Sequence, residues 1–235
     1  MNIEHIKNDF KQLVREPMML LLFCLPLVIF AVFKAMIVFL IPFLYEYIDF
    51  DLSDYYLYIL SLVLILTPGM LGIVTGFMML DERDGKIAEL MSVTPLGRSG
   101  YLYNRLSFAF VATVIYTFMG YFIVDIYKLP LLVVFLLSVL LGIFSMILGM
   151  IIFTIATDKV KGLTYAKGLN IMLFFCLTDL LNERWLTNFS MLFPTYWITE
   201  IIQNPKSLQV FGIALFVHLL WIGSILRRDY RKSTI

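Results

Sequence analysis

Apolar residues run along this chain in long stretches, separated by short segments that gather most of the charge. Residues 18–43, 57–80, 107–124, 129–155, 168–181 and 210–226 are dominated by Leu, Ile, Val, Phe and Met. A helix needs about 20 such residues to cross a bilayer, so the pattern predicts six crossings. The fifth is short and reaches that length only when extended back to Leu163. Ahead of them, Ile3, Ile6, Phe10, Leu13 and Val14 recur at helical spacing while Lys7, Lys11 and Arg15 take other positions. That is the pattern of an amphipathic helix lying in the membrane interface over residues 1–17, and Pro17 marks its break with the first crossing. The expected fold class is all-α: a polytopic membrane domain over residues 18–235, preceded by the interfacial helix.

Details within the crossings refine this picture. Pro26 is expected to bend the first crossing. Thr67-Pro68-Gly69 interrupts the second near its middle, and Gly69, Gly72 and Gly76 lie on nearly one face. Ser138, Gly142, Ser145 and Gly149 form a comparable face on the fourth. Small residues let another backbone approach closely, either within the chain, at a partner subunit or beside a substrate path. Lys34 is the odd residue of the first crossing, because an ammonium in lipid must snorkel, pair or face water. Snorkelling towards the far end and a place in a water-filled path or subunit interface both stay open. His218 reads as a neutral, hydrogen-bonded core histidine, and Cys24 and Cys176 fall in apolar runs where packing is their use.

Composition then identifies the solvent. The chain is 61% hydrophobic and 15% charged, against about 25% charge in an ordinary soluble domain, with a mean hydropathy of +0.90. Lipid accounts for that deficit. The net charge of +1 gives no reason to expect a nucleic-acid partner. Residues before Pro17 lack the apolar core of a cleavable signal, and the first oily stretch is too long for one, so it is expected to stay in the mature protein.

Position matters more than net charge. Of the 18 Lys and Arg, 14 fall before Pro17, between Asp81 and Arg105, within 157–167 or after Leu226. The intervening loops carry 3, and the loop 45–56 holds Glu46, Asp49, Asp51 and Asp54 with no Lys or Arg. The positive-inside rule therefore puts both termini in the cytoplasm of a multi-pass cell-membrane protein. Residues 182–208 then lie outside, where Trp185, Phe189, Phe193, Tyr196 and Trp197 among polar residues fit an aromatic belt or short re-entrant helices.

Catalytic motifs are absent from the sequence. It has no Gly-rich phosphate loop ending in Gly-Lys-Ser/Thr, no His-Glu-x-x-His and no Gly-x-Ser-x-Gly. Asp81, Glu82 and Asp84 have the spacing of hard-cation ligands, but Arg83 and Lys86 interleave with them, which favours a solvated helix face. A non-enzymatic membrane protein is expected, with no catalytic, cofactor or metal site of its own.

The charged segment Asp81-Glu82-Arg83-Asp84-Gly85-Lys86-Ile87-Ala88-Glu89-Leu90, followed by Thr94-Pro95 and Tyr101-Leu102-Tyr103-Asn104-Arg105, resembles the loop between the second and third crossings of type-2 ATP-binding-cassette export permeases. Asp158-Lys159-Val160-Lys161-Gly162 through Lys167 and Phe193-Pro194-Thr195-Tyr196-Trp197 are similar to further motifs of that family in the same order. The resemblance covers essentially the whole chain. It implies a cytoplasmic coupling helix near residues 81–96 that docks on a separate ATPase chain. Glu82 and Glu89 are then the acidic residues facing that ATPase, Leu90 lies within the docking segment, Gly85 permits the turn and Pro95 fixes the exit.

The resemblance also implies ATP and Mg on the ATPase, a second permease chain, identical or paralogous, and a re-entrant outer region at 182–208. Surrounding lipids complete the set of partners. The expected function is the permease of an ATP-driven exporter that moves a drug, hydrophobic peptide or lipid-like molecule by alternating access. Lys34, Thr67, Pro68 and Gly69 are candidate path residues. The alternative is a non-pumping immunity or assembly protein that binds hydrophobic peptides.

Overall fold

A computed structural model describes residues 11–49, 51–86 and 97–233. Six helical stretches are long and apolar enough to cross a membrane: Pro17–Tyr47, Ser53–Asp84, Gly100–Val124, Leu131–Ile155, Lys159–Leu181 and Leu208–Asp229. They make a multi-pass, all-α fold in the predicted order, with element boundaries that differ instructively from those read off hydropathy.

Helix α1, Pro17–Ile48, starts on Pro17, whose missing N–H costs nothing at a first helical position, and it contains Pro26 and Pro42. Residues 11–15 are also helical, and Leu13 is fully buried against the bundle. The rest of the predicted interfacial helix, before Lys11, lies outside the described residues. Helix α2, Tyr56–Asp84, runs through the Thr67-Pro68-Gly69 interruption and four residues beyond Leu80, so Asp81, Glu82, Arg83 and Asp84 form its last turn. Helix α3, Gly97–Val124, likewise begins ten residues ahead of Ser107 and includes Tyr101 and Arg105. It ends in the expected turn, where Asp125 takes the left-handed conformation with a φ of 44°. Helix α4 is Leu131–Ile155.

The fifth crossing has two parts. Helix α5, Lys159–Leu169, is capped by the Asp158 side chain, which accepts from the Lys161 backbone N–H at 2.8 Å. It continues as a 3-10 helix, Asn170–Leu181, a long run for that conformation. Two short helices follow, α6 (Arg184–Ser190) and α7 (Pro194–Gln203), before the last crossing, α8 (Leu208–Ser233).

The centre of the bundle is the α2–α4 crossing, and the small residues explain it. A Cβ on Gly72 would lie 2.7 Å from the Ser145 carbonyl oxygen and 2.8 Å from the Leu148 Cβ. One on Gly76 would lie 2.9 Å from the Ile152 Cβ, and Gly149 faces the Gly72 carbonyl from the other side. Only hydrogens fit between the two backbones. The predicted small-residue faces of the second and fourth crossings therefore pack on each other within one chain. Gly142 turns instead to Phe110 of α3, and Gly69 to Leu173 of the 3-10 segment. Two buried hydroxyls bond back to their own helices, Ser61 to the Leu57 carbonyl at 2.8 Å and Ser145 to that of Gly142 at 2.8 Å. Large apolar side chains such as Leu21, Phe39 and Phe43 of α1 and Phe216 of α8 point outward, as a lipid solvent permits.

Gly72→Ala is expected to reduce unfolding stability in detergent by about 1–3 kcal/mol, because α2 and α4 must separate to admit the methyl group. Gly212→Ala, with nothing within 4 Å of the added atom, serves as the reference and should leave the unfolding midpoint where it is or raise it slightly. Equal midpoints for the two variants contradict the close crossing.

Candidate functional site

Charge collects where five helix ends meet: the starts of α1, α3 and α5 and the ends of α2 and α4. The last turn of α2 supplies the central groups, and each faces a different neighbour. Glu82 turns inward and is only 4% exposed. Arg105 of α3 donates from Nε to Glu82 Oε2 at 2.7 Å and from a terminal nitrogen to Oε1, while the Tyr101 hydroxyl donates to Oε2 at 2.8 Å. Tyr101 and Arg105 are four residues apart on one helix, so both reach the same carboxylate. The two-point guanidinium–carboxylate geometry is one that Lys cannot reproduce.

Arg83 points to the end of α4. Its Nη1 donates to the Phe153 carbonyl at 3.2 Å and its Nη2 to that of Ala156 at 2.9 Å, with the guanidinium 5.6 Å from the centre of the Phe153 ring. Carbonyls at a helix C-terminus lack partners within the helix and carry partial negative charge, and Arg83 answers both. Asp81 meets Lys159 at the start of α5, and the same ammonium donates to Glu16, 2.6 Å from Oε1. Lys159 thus ties α2 and α5 to the residue that precedes α1. Beside these pairs an open cleft of about 660 Å³ is lined by Lys11, Gln12, Arg15 and Glu16 from the chain's start and by Asp81, Glu82 and Arg105.

The predicted docking residues are divided by this geometry. Glu82 is held inside the chain and not presented at its surface. Gly85 follows α2, with its N–H bonded to the Asp81 carbonyl at 2.8 Å and a negative φ of −78°; the left-handed residue of the turn is Lys86, with a φ of 56°. Glu89, Leu90 and Pro95 lie outside the described residues. The path candidates are also separated. Lys34, half-buried, places its Nζ 3.4 Å from the Val124 carbonyl at the end of α3, the arrangement of a snorkelling cation at a helix C-terminus. Thr67, Pro68 and Gly69 are buried in the bundle interior.

Arg105, Tyr101, Arg83, Glu16 and Lys159 were not assigned these roles from sequence. The signal available was a set of charges at the ends of apolar runs, but which of them pair depends on helix rotation. Among the described residues no group of three or more His, Cys, Asp or Glu is placed to hold a metal ion. The carboxylates of Asp81 and Glu82 are instead answered by Lys159 and Arg105. His218 is buried with Nδ1 2.7 Å from the Ala214 carbonyl of its own helix.

A family model described as "Fluoroquinolones export permease protein Rv2686c-like" matches residues 9–226 of the chain. Two proteins of Mycobacterium tuberculosis are similar to it: fluoroquinolones export permease protein MT2760 of strain CDC 1551 / Oshkosh and fluoroquinolones export permease protein Rv2686c of strain ATCC 25618 / H37Rv. Each is 27% identical over 203 residues, covering 83% of this chain and 78% of the relative. No solved structure matches the chain.

Arg105→Ala leaves the Glu82 carboxylate buried without its guanidinium, and breaking a buried pair in this way destabilises by about 3–5 kcal/mol. Arg105→Lys keeps the charge and loses the two-point geometry, so its loss should be intermediate. Lys86→Ala, at an exposed position, is the reference. Unfolding midpoints in detergent that fail to follow this order contradict the pairing.

Proposed function

The chain belongs to the Rv2686c-like family of fluoroquinolones export permeases, and from that membership we propose that it is the transmembrane permease subunit of an ATP-driven exporter. It has no phosphate loop in its sequence, so ATP and Mg are assigned to a separate cytoplasmic ATPase of the ATP-binding-cassette type. Two permease chains, identical or paralogous, and two ATPases make the working unit. The distribution of Lys and Arg supports a cytoplasmic location for both termini and for the charged end of the bundle. Residues 182–208, with α6 and α7, then form the re-entrant outer region that closes the exit side.

One observation carries the coupling reading. The helices that flank residues 85–96 are locked to each other by Arg105, Tyr101 and Glu82, and α2 is locked in turn to α4 by Arg83. Force on the intervening segment is thereby delivered to several crossings together, as a coupling element requires. In this reading Glu89 and Leu90 meet the ATPase, Gly85 and Pro95 bound the docking segment, and Glu82 acts from inside by fixing the angle between α2 and α3.

The names of the relatives favour a drug of the fluoroquinolone kind among the hydrophobic or amphipathic cargoes open to such a permease. Cargo crosses by alternating access between the two permease chains. Lys34 and the Thr67-Pro68-Gly69 segment meet it only in a state that opens the present contacts of Lys34 with Val124 and of Gly69 with Leu173.

In proteoliposomes containing the permease and its ATPase, Glu89→Lys is expected to lower drug-stimulated ATP turnover about tenfold, the effect of ~1.4 kcal/mol in docking free energy, with membrane insertion unchanged. Undiminished turnover removes Glu89 from the docking surface. Lys34→Met should change export of charged drugs more than that of neutral ones; an equal effect on both makes Lys34 solely an anchor.

A further inference from the structure

Lys11 and Arg15 line the open cleft at the charged end of the bundle, both are exposed, and among the described residues neither makes an ion pair. They stand four residues apart on the helical stretch 11–15, a spacing that brings side chains to one face. The carboxylates of the cleft are already answered. Arg105 holds Glu82, and the Lys159 ammonium lies on both Asp81 and Glu16. With Lys159 counted, four cations meet three carboxylates, and the uncommitted charge is gathered on the wall formed by Lys11 and Arg15. Gln12, half-buried, adds a neutral amide donor to the lining. Leu13 fixes this wall in place, fully buried in the apolar cluster that also holds Met19, Tyr101 and Ile225.

The cleft opens where the first crossing starts. Helix α1 begins at Pro17, two residues after Arg15, and Val14, Met18 and Leu21 are apolar and exposed along the same stretch. A cationic wall thus passes directly into a strip of side chains facing the hydrocarbon. The volume of about 660 Å³ lies within the ~300–1,000 Å³ of small-molecule sites.

We propose that this cleft binds the phosphate headgroup of an anionic phospholipid, with the phosphate on Lys11 and Arg15 and the acyl chains laid along Val14, Met18 and Leu21. A guanidinium meets phosphate oxygens at two points and an ammonium meets them as a point charge, so the pair supplies both geometry and field. A soluble phosphate ester offers the same charge but leaves the apolar strip uncovered, which is why the lipid is the favoured source. Held there, the headgroup ties residues 11–16 to the ends of α2 and α3, because Asp81, Glu82 and Arg105 form the opposite wall. Assigning the lipid to the cytoplasmic leaflet, where anionic lipids gather, rests on the orientation proposed above. The site itself does not, and its test needs neither ATPase nor cargo.

The full chain in a neutral detergent, titrated with phosphatidylglycerol and with phosphatidylcholine of the same acyl chains, gives the answer when bound lipid is counted by native mass spectrometry. Each basic residue beside an anionic headgroup is worth about fivefold in affinity, so the unmodified chain is expected to prefer phosphatidylglycerol by about 25-fold. Arg15→Gln should cut that preference about fivefold, and Lys11→Gln combined with Arg15→Gln should remove it. Lys206→Gln, exposed between α7 and α8, is the reference and should leave it unchanged. Equal affinity of the unmodified chain for the two lipids overturns the proposal without recourse to any variant. A preference that survives in the double variant overturns it as well. So does glycerol phosphate that displaces the lipid at equal concentration, since the ligand is then a soluble anion.

Discussion

The closeness of α2 and α4 is the constraint from which the rest of the bundle follows. In lipid an apolar side chain gains little by leaving its solvent, so helices must be held by dense contact and by polar groups bonded inside the protein. Gly72 and Gly76, set against Ser145, Leu148, Gly149 and Ile152, bring the two backbones to a separation that no larger residue at either glycine would allow. Around that crossing α3 inserts Phe110 at Gly142, and the fifth crossing inserts Leu173 at Gly69. The hydroxyls of Ser61 and Thr117 return to carbonyls of their own helices, whereas those of Thr67, Thr75 and Thr113 are buried without a partner among the described residues.

An interior of this kind drives charge to its ends. At one end three of the four charged residues of the last α2 turn meet partners from different elements: Asp81 with Lys159, Glu82 with Arg105, and Arg83 with the final carbonyls of α4. These pairs lie where crossings stop, so they fix the angles between helices without placing charge in the hydrocarbon. The opposite end has a comparable anchor in Lys34 at the Val124 carbonyl, and Lys128 there holds the Asp125 carboxyl below its usual range. In the proposed exporter, the first set of pairs carries ATPase movement into the bundle.

The number and order of the crossings were legible because lipid imposes a length and a composition that few alternatives satisfy. Helix ends were less legible. Hydropathy stops at the first charge, whereas α2 continues to Asp84 and α3 begins at Gly97, because Glu82 and Arg105 complete each other across 23 residues of sequence. The same distance explains why Glu82 read as a surface acid: its burial depends on the rotation of two helices, and an almost uniformly apolar segment records no rotation. The small-residue faces were visible as faces, but whether they met each other or another chain required the fold. The 3-10 half of the fifth crossing left no trace in residue type, since Asn170–Leu181 has the composition of an ordinary membrane helix.

The central claim, that this chain works as the membrane half of an ATP-driven pump, is tested most directly by mass. The permease purified in mild detergent or nanodiscs together with a candidate Walker-type ATPase encoded beside it should run as one particle containing two copies of each, whether the two permeases are identical or paralogous. A permease that remains free of the ATPase in nanodiscs as well as in detergent, and under nucleotide conditions that favour assembly, contradicts the claim and moves this chain towards a membrane protein that binds its ligand without pumping it.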